Sequence, residues 1–178
     1  MSLTLESIQR ACTAQSLVDT PLGPLRLVRT ANGLAGAWFE GQKHHPGALD
    51  AEEHPNDPLL QRTATELRHY FDGKRASFDL PLDLLGTDFQ RAVWTALQRI
   101  PAGETRAYGD IARALGSPLA VRAVGAAVGR NPVSLIVPCH RVVGRDGSLT
   151  GYAGGIERKQ ALLELEHAAA HPPRRATA

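Results

Sequence analysis

Three short runs near the start of the chain, residues 15–19, 25–30 and 34–39, have the apolar-rich composition of strands, and Gly23-Pro24 and Asn32-Gly33 punctuate them as turns. Together they predict a small antiparallel meander. Residues 40–57 are polar, carry Gly, Pro and three His, and predict a loop. The period then changes. In DPLLQRTATELRHYFDG, Leu60, Ala64, Leu67 and Phe71 recur on one helical face. Asp57 suits the N-cap, Pro58 the first helical position and Gly73 the end. This predicts a helix over 58–72, followed by a connector over 74–86 with a short strand near 76–80.

Beyond residue 86 the pattern is helical. Thr87 and Gln90 have capping-box spacing, Phe89, Val93, Leu97 and Ile100 predict a buried face, and Pro101 stops the helix. Further helices are expected over 108–115, ending at Gly116, over 119–130, capped by Ser117-Pro118, and over 156–167. Residues 168–178 read as a disordered tail. The pair 108–115 and 119–130, joined by the tight Gly116-Ser117-Pro118 turn, is a helix-turn-helix candidate, although such pairs also occur in ordinary helical domains. LAVRAVGAAVGRN, in the second helix, is rich in small residues. They would let its backbone approach either another helix or a nucleic-acid groove, and Arg122 and Arg130 stand among them.

Composition narrows the picture modestly. A chain of 178 residues suits one large domain or two small ones, here expected at 1–84 and 85–167. Residues 1–84 hold eight basic against eleven acidic side chains, whereas 85–166 hold ten against seven. A basic second half is compatible with a phosphate-binding surface. Two cysteines do not make a disulfide framework and suggest a reducing compartment. No apolar run would span a bilayer, and the first residues lack the pattern of a signal peptide. The expected location is therefore cytoplasmic, with no membrane contact.

VSLIVPCHRVVGRDG is the most informative stretch. A nucleophilic cysteine must be held as thiolate, which a nearby base or positive charge favours. His140 and Arg141 supply one of each within two residues of Cys139. In an extended segment, however, neighbouring side chains point to opposite faces, so His140 would need a water or a local turn to reach the thiol. Read on its own, Cys139 is equally a buried structural cysteine. A zinc site is disfavoured by the lack of a second Cys/His pair at ligand spacing. Cys12 reads as structural, and His44, His45 and His54 read as solvated loop residues.

PCHRVV at 138–143 resembles the signature of the O6-alkylguanine-DNA alkyltransferase family. The likeness extends to FQRAVWTALQRIPAGETRAYGDIA at 89–112, RAVGAAVGRNPV at 122–133 and GYAGGIERKQALLELE at 151–166. It implies an α+β fold: a small, ribonuclease-H-like antiparallel sheet with a helix, then a mostly helical half of winged helix-turn-helix type. The implied reaction is irreversible, single-use transfer of an alkyl group to Cys139 from O6-alkylguanine, and less efficiently from O4-alkylthymine, without metal or cofactor. The implied partner is double-stranded DNA, whose damaged base is flipped out through the minor groove. A monomer would suffice, with room for clustering on DNA.

By matched position, His140 would activate Cys139 through a water, Glu166 would orient His140, and Asn131 would order the hinge before the cysteine. Tyr108 would donate to the guanine ring nitrogen N3, and Arg122 would fill the stack left by the flipped base. Ala123, Gly125 and Arg130 would accompany them on DNA. Val128, Val142, Leu149, Tyr152 and Ala153 would line or close the alkylguanine pocket. Ser134 stands where some relatives carry proline. In the non-catalytic alkyltransferase-like class, the alternative reading, the cysteine is replaced, which Cys139 argues against.

Overall fold

In the computed structural model the described residues are 3–170. The meander forms as expected: β1 (Cys12–Val18), β2 (Leu25–Thr30) and β3 (Leu34–Phe39) pair antiparallel in the order β1-β2-β3. Alternation splits their side chains between two apolar layers. Leu25, Leu27, Ala37 and Phe39 face the main core, whereas Val28 and Trp38 pack on the other side with Ile8 of an unforeseen helix, α1 (Leu3–Ala11). With both faces covered, every residue of β3 is buried. Gly36 is required there, because a Cβ would lie 1.9 Å from the Trp38 ring.

The outer edge of β3 is not left open. Leu34 donates to the Pro81 carbonyl at 2.8 Å and accepts from Asp83 at 2.9 Å. Further along, Ala37 donates to the Pro132 carbonyl and accepts from Ser134, both at 2.9 Å. The connector therefore meets the sheet at 81–83, and the strand expected near 76–80 does not form. The Asp79 N–H is already taken by the Glu66 carboxylate of the next helix at 2.9 Å.

That helix, α2 (Pro58–Phe71), begins as the sequence suggests, with Asp57 Oδ1 accepting from Leu59 and Leu60 at 2.9 and 3.1 Å. Thr87 and Gln90 close their capping box on α3 (Asp88–Leu97). Val93, Leu97 and Ile100 are buried as expected, but Phe89 is not. Phe89 is 37% exposed, and Trp94 is enclosed instead, its indole N–H donating to the Ala127 carbonyl at 2.9 Å. That bond ties α3 to α5 (Val121–Gly129), which follows α4 (Tyr108–Ala114). Gly116, at φ 68°, provides the left-handed residue that ends α4. Ser117-Pro118 does not cap α5: Ala120 holds the N-cap position without a side-chain bond.

A two-residue parallel ladder joins β4 (Arg106–Ala107) to β5 (Val142–Val143). The last helix, α6 (Ile156–Ala170), runs three residues past its expected end. The rest of the expected disordered tail, 171–178, lies outside the described residues. The result is the expected α+β architecture, a small sheet with helices followed by a mostly helical half carrying a helix-turn-helix. One apolar core runs through both halves, from Leu25, Phe39 and Leu67 to Trp94, Val128 and Leu162. No helix among the described residues is long and apolar enough to cross a membrane.

The α2 cap gives a direct test. Asp57→Ala removes two N-terminal acceptor bonds and an ion pair to Arg29, and should lower unfolding free energy by about 1 kcal/mol in a urea titration. Asp57→Asn should recover most of it. An alanine variant as stable as wild type would show that the cap contributes nothing.

Candidate functional site

Cys139 sits where the chain is most tightly constrained. After α5, the side chain of Asn131 accepts from Val133 N–H at 3.0 Å and donates to the Val137 carbonyl at 2.8 Å. Its Nδ2 also lies 3.1 Å from Cys139 Sγ. Leu135 adopts φ 72°, a conformation that β-carbon crowding disfavours, and it is held there by burial and by the bonds of 132–134 to β3. Cys139, His140 and Arg141 then form one 3-10 turn. This replaces the extended geometry considered from sequence, so the thiol and imidazole belong to one tight turn. All three residues are buried.

The hub of the site is a carboxylate. Glu166 Oε1 lies 2.8 Å from His140 Nε2 and accepts from the Tyr70 hydroxyl at 2.7 Å. Arg141 donates from Nη2 to Oε1 at 2.8 Å and from Nε to Oε2 at 2.9 Å. The Gly103 N–H reaches Oε2 at 3.3 Å. Burial alone would push the Glu166 carboxyl up. The hydrogen bonds and charges of His140 and Arg141 outweigh burial and hold it well below the usual carboxylate range.

An ionised carboxylate only accepts, so His140 must carry its proton on Nε2. Nδ1 then keeps its lone pair, and it has no partner among the described residues. Burial pushes His140 down despite Glu166, so the imidazole is neutral. The arrangement provides a neutral base whose other nitrogen is fixed.

Arg141 was expected to help the thiolate, but its guanidinium is spent on Glu166 and on the Ile100 carbonyl. The cation that acts on Cys139 is Lys159, which sequence reading passed over. It is fully buried on α6 and donates to the Val142 carbonyl and, at 2.8 Å, to the Thr150 carbonyl. Burial pushes it down to about 8, with Cys139 pulling the other way. Burial likewise pushes the Cys139 thiol up, while the Asn131 hydrogen bond and then the Lys159 charge pull it back. The resting thiol is protonated, with a counter-charge in place for the thiolate. Lys159 stands within the matched stretch GYAGGIERKQALLELE, but nothing in its spacing set it apart from the other charged residues there.

A cleft of about 240 Å³ is lined by Tyr108, Tyr152, Ala153, Gly125, Gly129 and Thr150-Gly151, together with Lys43 and His44. Cys139 is not in its lining, but Tyr108 and Tyr152 both lie within electrostatic reach of the thiol. The Tyr108 hydroxyl donates to the Thr150 and Gly151 carbonyls at 3.1 and 3.3 Å. The buried Tyr152 hydroxyl has no partner among the described residues. Of the other expected pocket residues, Val128 and Val142 are buried in the core and Leu149 is half-buried; none of the three lines this cleft. On α5, Arg122 and Ala123 are exposed, as is Arg130 just beyond it, and a Cβ on Gly125 would pack 3.8 Å from the Tyr108 ring. His54 is solvated as expected, but His45 is partly covered and meets Trp38 edge-on at 6.2 Å.

Comparison with known proteins gives consistent matches. Residues 88–168 match the family model described as 6-O-methylguanine DNA methyltransferase, DNA binding domain. Residues 14–84 match that of its ribonuclease-like domain. Over 149 residues the chain is 49% identical to the methylated-DNA--protein-cysteine methyltransferase of Mycobacterium tuberculosis, covering 84% of this chain and 89% of that one. The inducible methylated-DNA--protein-cysteine methyltransferase of Bacillus subtilis is 52% identical over 150 residues, covering 84% and 82%. The crystal structure of Mycobacterium tuberculosis OGT in complex with DNA superposes with a TM-score of 0.83 at 46% identity, covering 88% of this chain and 94% of that one.

Two measurements check the electrostatics. Because folded His140 is held neutral, the unfolded chain binds a proton that the folded one refuses once pH falls below about 6.5. Stability should therefore fall on acidification, with a slope approaching about 1.4 kcal/mol per pH unit from this residue. Urea titrations between pH 7 and 5 should show a shallower fall for His140→Gln; identical slopes would contradict a buried neutral imidazole. Separately, Lys159→Met should move the pH profile of Cys139 alkylation by a small electrophile to higher pH. An unmoved profile would remove Lys159 from the thiol's electrostatics.

Proposed function

The chain belongs to the 6-O-methylguanine DNA methyltransferase family, and on that premise we propose that it repairs DNA by taking the alkyl group of O6-alkylguanine onto Cys139. One observation carries the reading: a buried thiol held by Asn131 at 3.1 Å, in one turn with a histidine fixed on Glu166 at 2.8 Å. In this reading the thiol proton passes through a water to His140 Nδ1, and the imidazolium so formed is stabilised by Glu166. The thiolate attacks the alkyl carbon in line. The C–S bond forms as the C–O6 bond breaks, and the electron pair leaves with guanine. The thioether is not readily hydrolysed, so each chain acts once. O4-alkylthymine is the poorer substrate.

Tyr108 would exchange its present carbonyl partners for guanine N3, placing a donor where charge develops on the leaving base. The base must first leave the duplex, because a buried thiol cannot reach a stacked one. Arg122, exposed on α5, would fill the vacated stack from the minor groove, flanked by Ala123, Gly125 and Arg130. The pocket would be closed by Tyr152 and Ala153, with Val128, Val142 and Leu149 behind them. Residues 1–84 form the structural domain in this scheme and 85–167 the DNA-binding and acceptor domain, although the core is shared. One chain carries the whole site, so a monomer suffices, acting in the cytoplasm on double-stranded DNA.

Incubation with duplex DNA carrying one O6-methylguanine, followed by peptide mass analysis, should find a single methyl on the Cys139 peptide and intact guanine in the DNA. Binding to the lesion without label on that peptide would contradict the reading. Arg122→Ala should slow repair of the duplex on the order of tenfold, a loss of about 1.4 kcal/mol in offsetting the unstacking. A wild-type rate would displace Arg122 from the finger role.

A further inference from the structure

The turn after β3 belongs to the N-terminal half, yet it is fastened to the site. Gln42 is buried, and its Oε1 accepts from Phe39 N–H at 2.9 Å and from the Ser134 hydroxyl at 3.4 Å. Ser134 precedes Cys139 by five residues, so one side chain ties this turn to the acceptor segment. The next residue, Lys43, donates its backbone N–H to the Ala153 carbonyl of the cleft wall at 2.9 Å. His44 then adopts φ 60°, a left-handed conformation that costs a non-glycine residue energy and is kept here by the bonds on either side. Both side chains are exposed at the cleft edge.

Arg130, exposed, follows the lining Gly129 by one residue. Burial, and then the charges of Arg130 and Lys43, push the His44 imidazole down, so both cations lie within electrostatic reach of it. Neither Lys43 nor Arg130 has an acidic partner within ion-pair distance among the described residues. The nearby Glu40 faces Arg26 at 3.6 Å and His45 at 3.9 Å. The cleft therefore carries Lys43 and His44 in its lining and Arg130 next to it in the chain, two cations without acidic partners beside a neutral imidazole, and the turn that bears Lys43 and His44 is well anchored.

Resting on the alkyl-transfer reading, we propose that Lys43 and His44 act with Arg130 as a phosphate clamp on the DNA strand beside the extruded nucleotide. A base that enters this cleft brings its flanking phosphates to the rim, and backbone phosphates are the anions a pair of open cations would meet there. The N-terminal half then contributes directly to DNA engagement, whereas the family model described as the DNA binding domain matches residues 88–168. The contact carries no base information. It adds affinity and holds the nucleotide at the mouth while the thiol reacts.

The test compares two substrates, a duplex with one O6-methylguanine and free O6-benzylguanine, which has no phosphate. Lys43→Gln, which keeps the anchoring backbone N–H, should reduce the rate on sub-saturating duplex about fivefold more than on the free base. The slope of log rate against log salt on duplex should become shallower by about 0.9, the signature of one lost phosphate contact. Lys43→Glu should deepen the duplex defect further. An unchanged salt slope, or equal losses on both substrates, overturns the clamp. Wild-type protein that accepts label from neither substrate overturns the alkyl-transfer reading itself.

Discussion

Glu166 gathers, at 2.7 to 3.3 Å, the hydroxyl of Tyr70 from α2, the imidazole of His140, the guanidinium of Arg141 and the N–H of Gly103 after α3. A buried carboxylate is costly unless its charge is compensated and its lone pairs are occupied, and here both conditions are met. Three separate parts of the chain must therefore arrive together before the carboxylate can be buried. Removing Glu166 would leave Arg141 as an unpaired buried charge, so the fold and the reactive turn depend on the same group.

The chemistry follows from that constraint. The ionised carboxylate fixes the histidine tautomer, the tautomer leaves Nδ1 with its lone pair, and burial keeps the ring neutral and able to accept a proton. Lys159 supplies the counter-charge that Arg141, committed to Glu166, cannot. It also holds the Val142 and Thr150 carbonyls, and Thr150 in turn accepts from Tyr108. The thiol, the cleft wall and the tyrosine are thus linked through one lysine. The sheet takes part as well, because β3 pairs with the segment that Asn131 organises.

Much of this was legible in the sequence because local patterns carried it. The strands at 25–30 and 34–39, the Asp57 cap and the Thr87–Gln90 capping box are set by neighbouring residues and form as read. What was missed depends on distant partners. Trp94 joins Val93, Leu97 and Ile100 in the core, where its indole N–H finds an acceptor on α5, and Phe89 stays at the surface. The expected strand at 76–80 is lost because Glu66 takes the Asp79 N–H. α1 covers the second face of the sheet, which the alternation in β2 and β3 implied without saying what would cover it. At the site, Cys139 and His140 stood out by their chemistry and Glu166 by resemblance, and the structure sets the first two in one turn with Glu166 on the histidine. Lys159 lay inside the matched stretch 151–166 without being singled out and the Lys43-His44 turn carries no motif; the relevance of both appears only in three dimensions.

The central claim is that Glu166 holds His140 as a neutral base with its proton on Nε2 and Nδ1 free. Nitrogen-15 NMR of the labelled imidazole at neutral pH reports this state directly. One protonated nitrogen, Nε2, coupled to a downfield proton, and an unprotonated Nδ1 are expected, with the pattern lost in Glu166→Gln. A proton on Nδ1, or a doubly protonated ring, would contradict it.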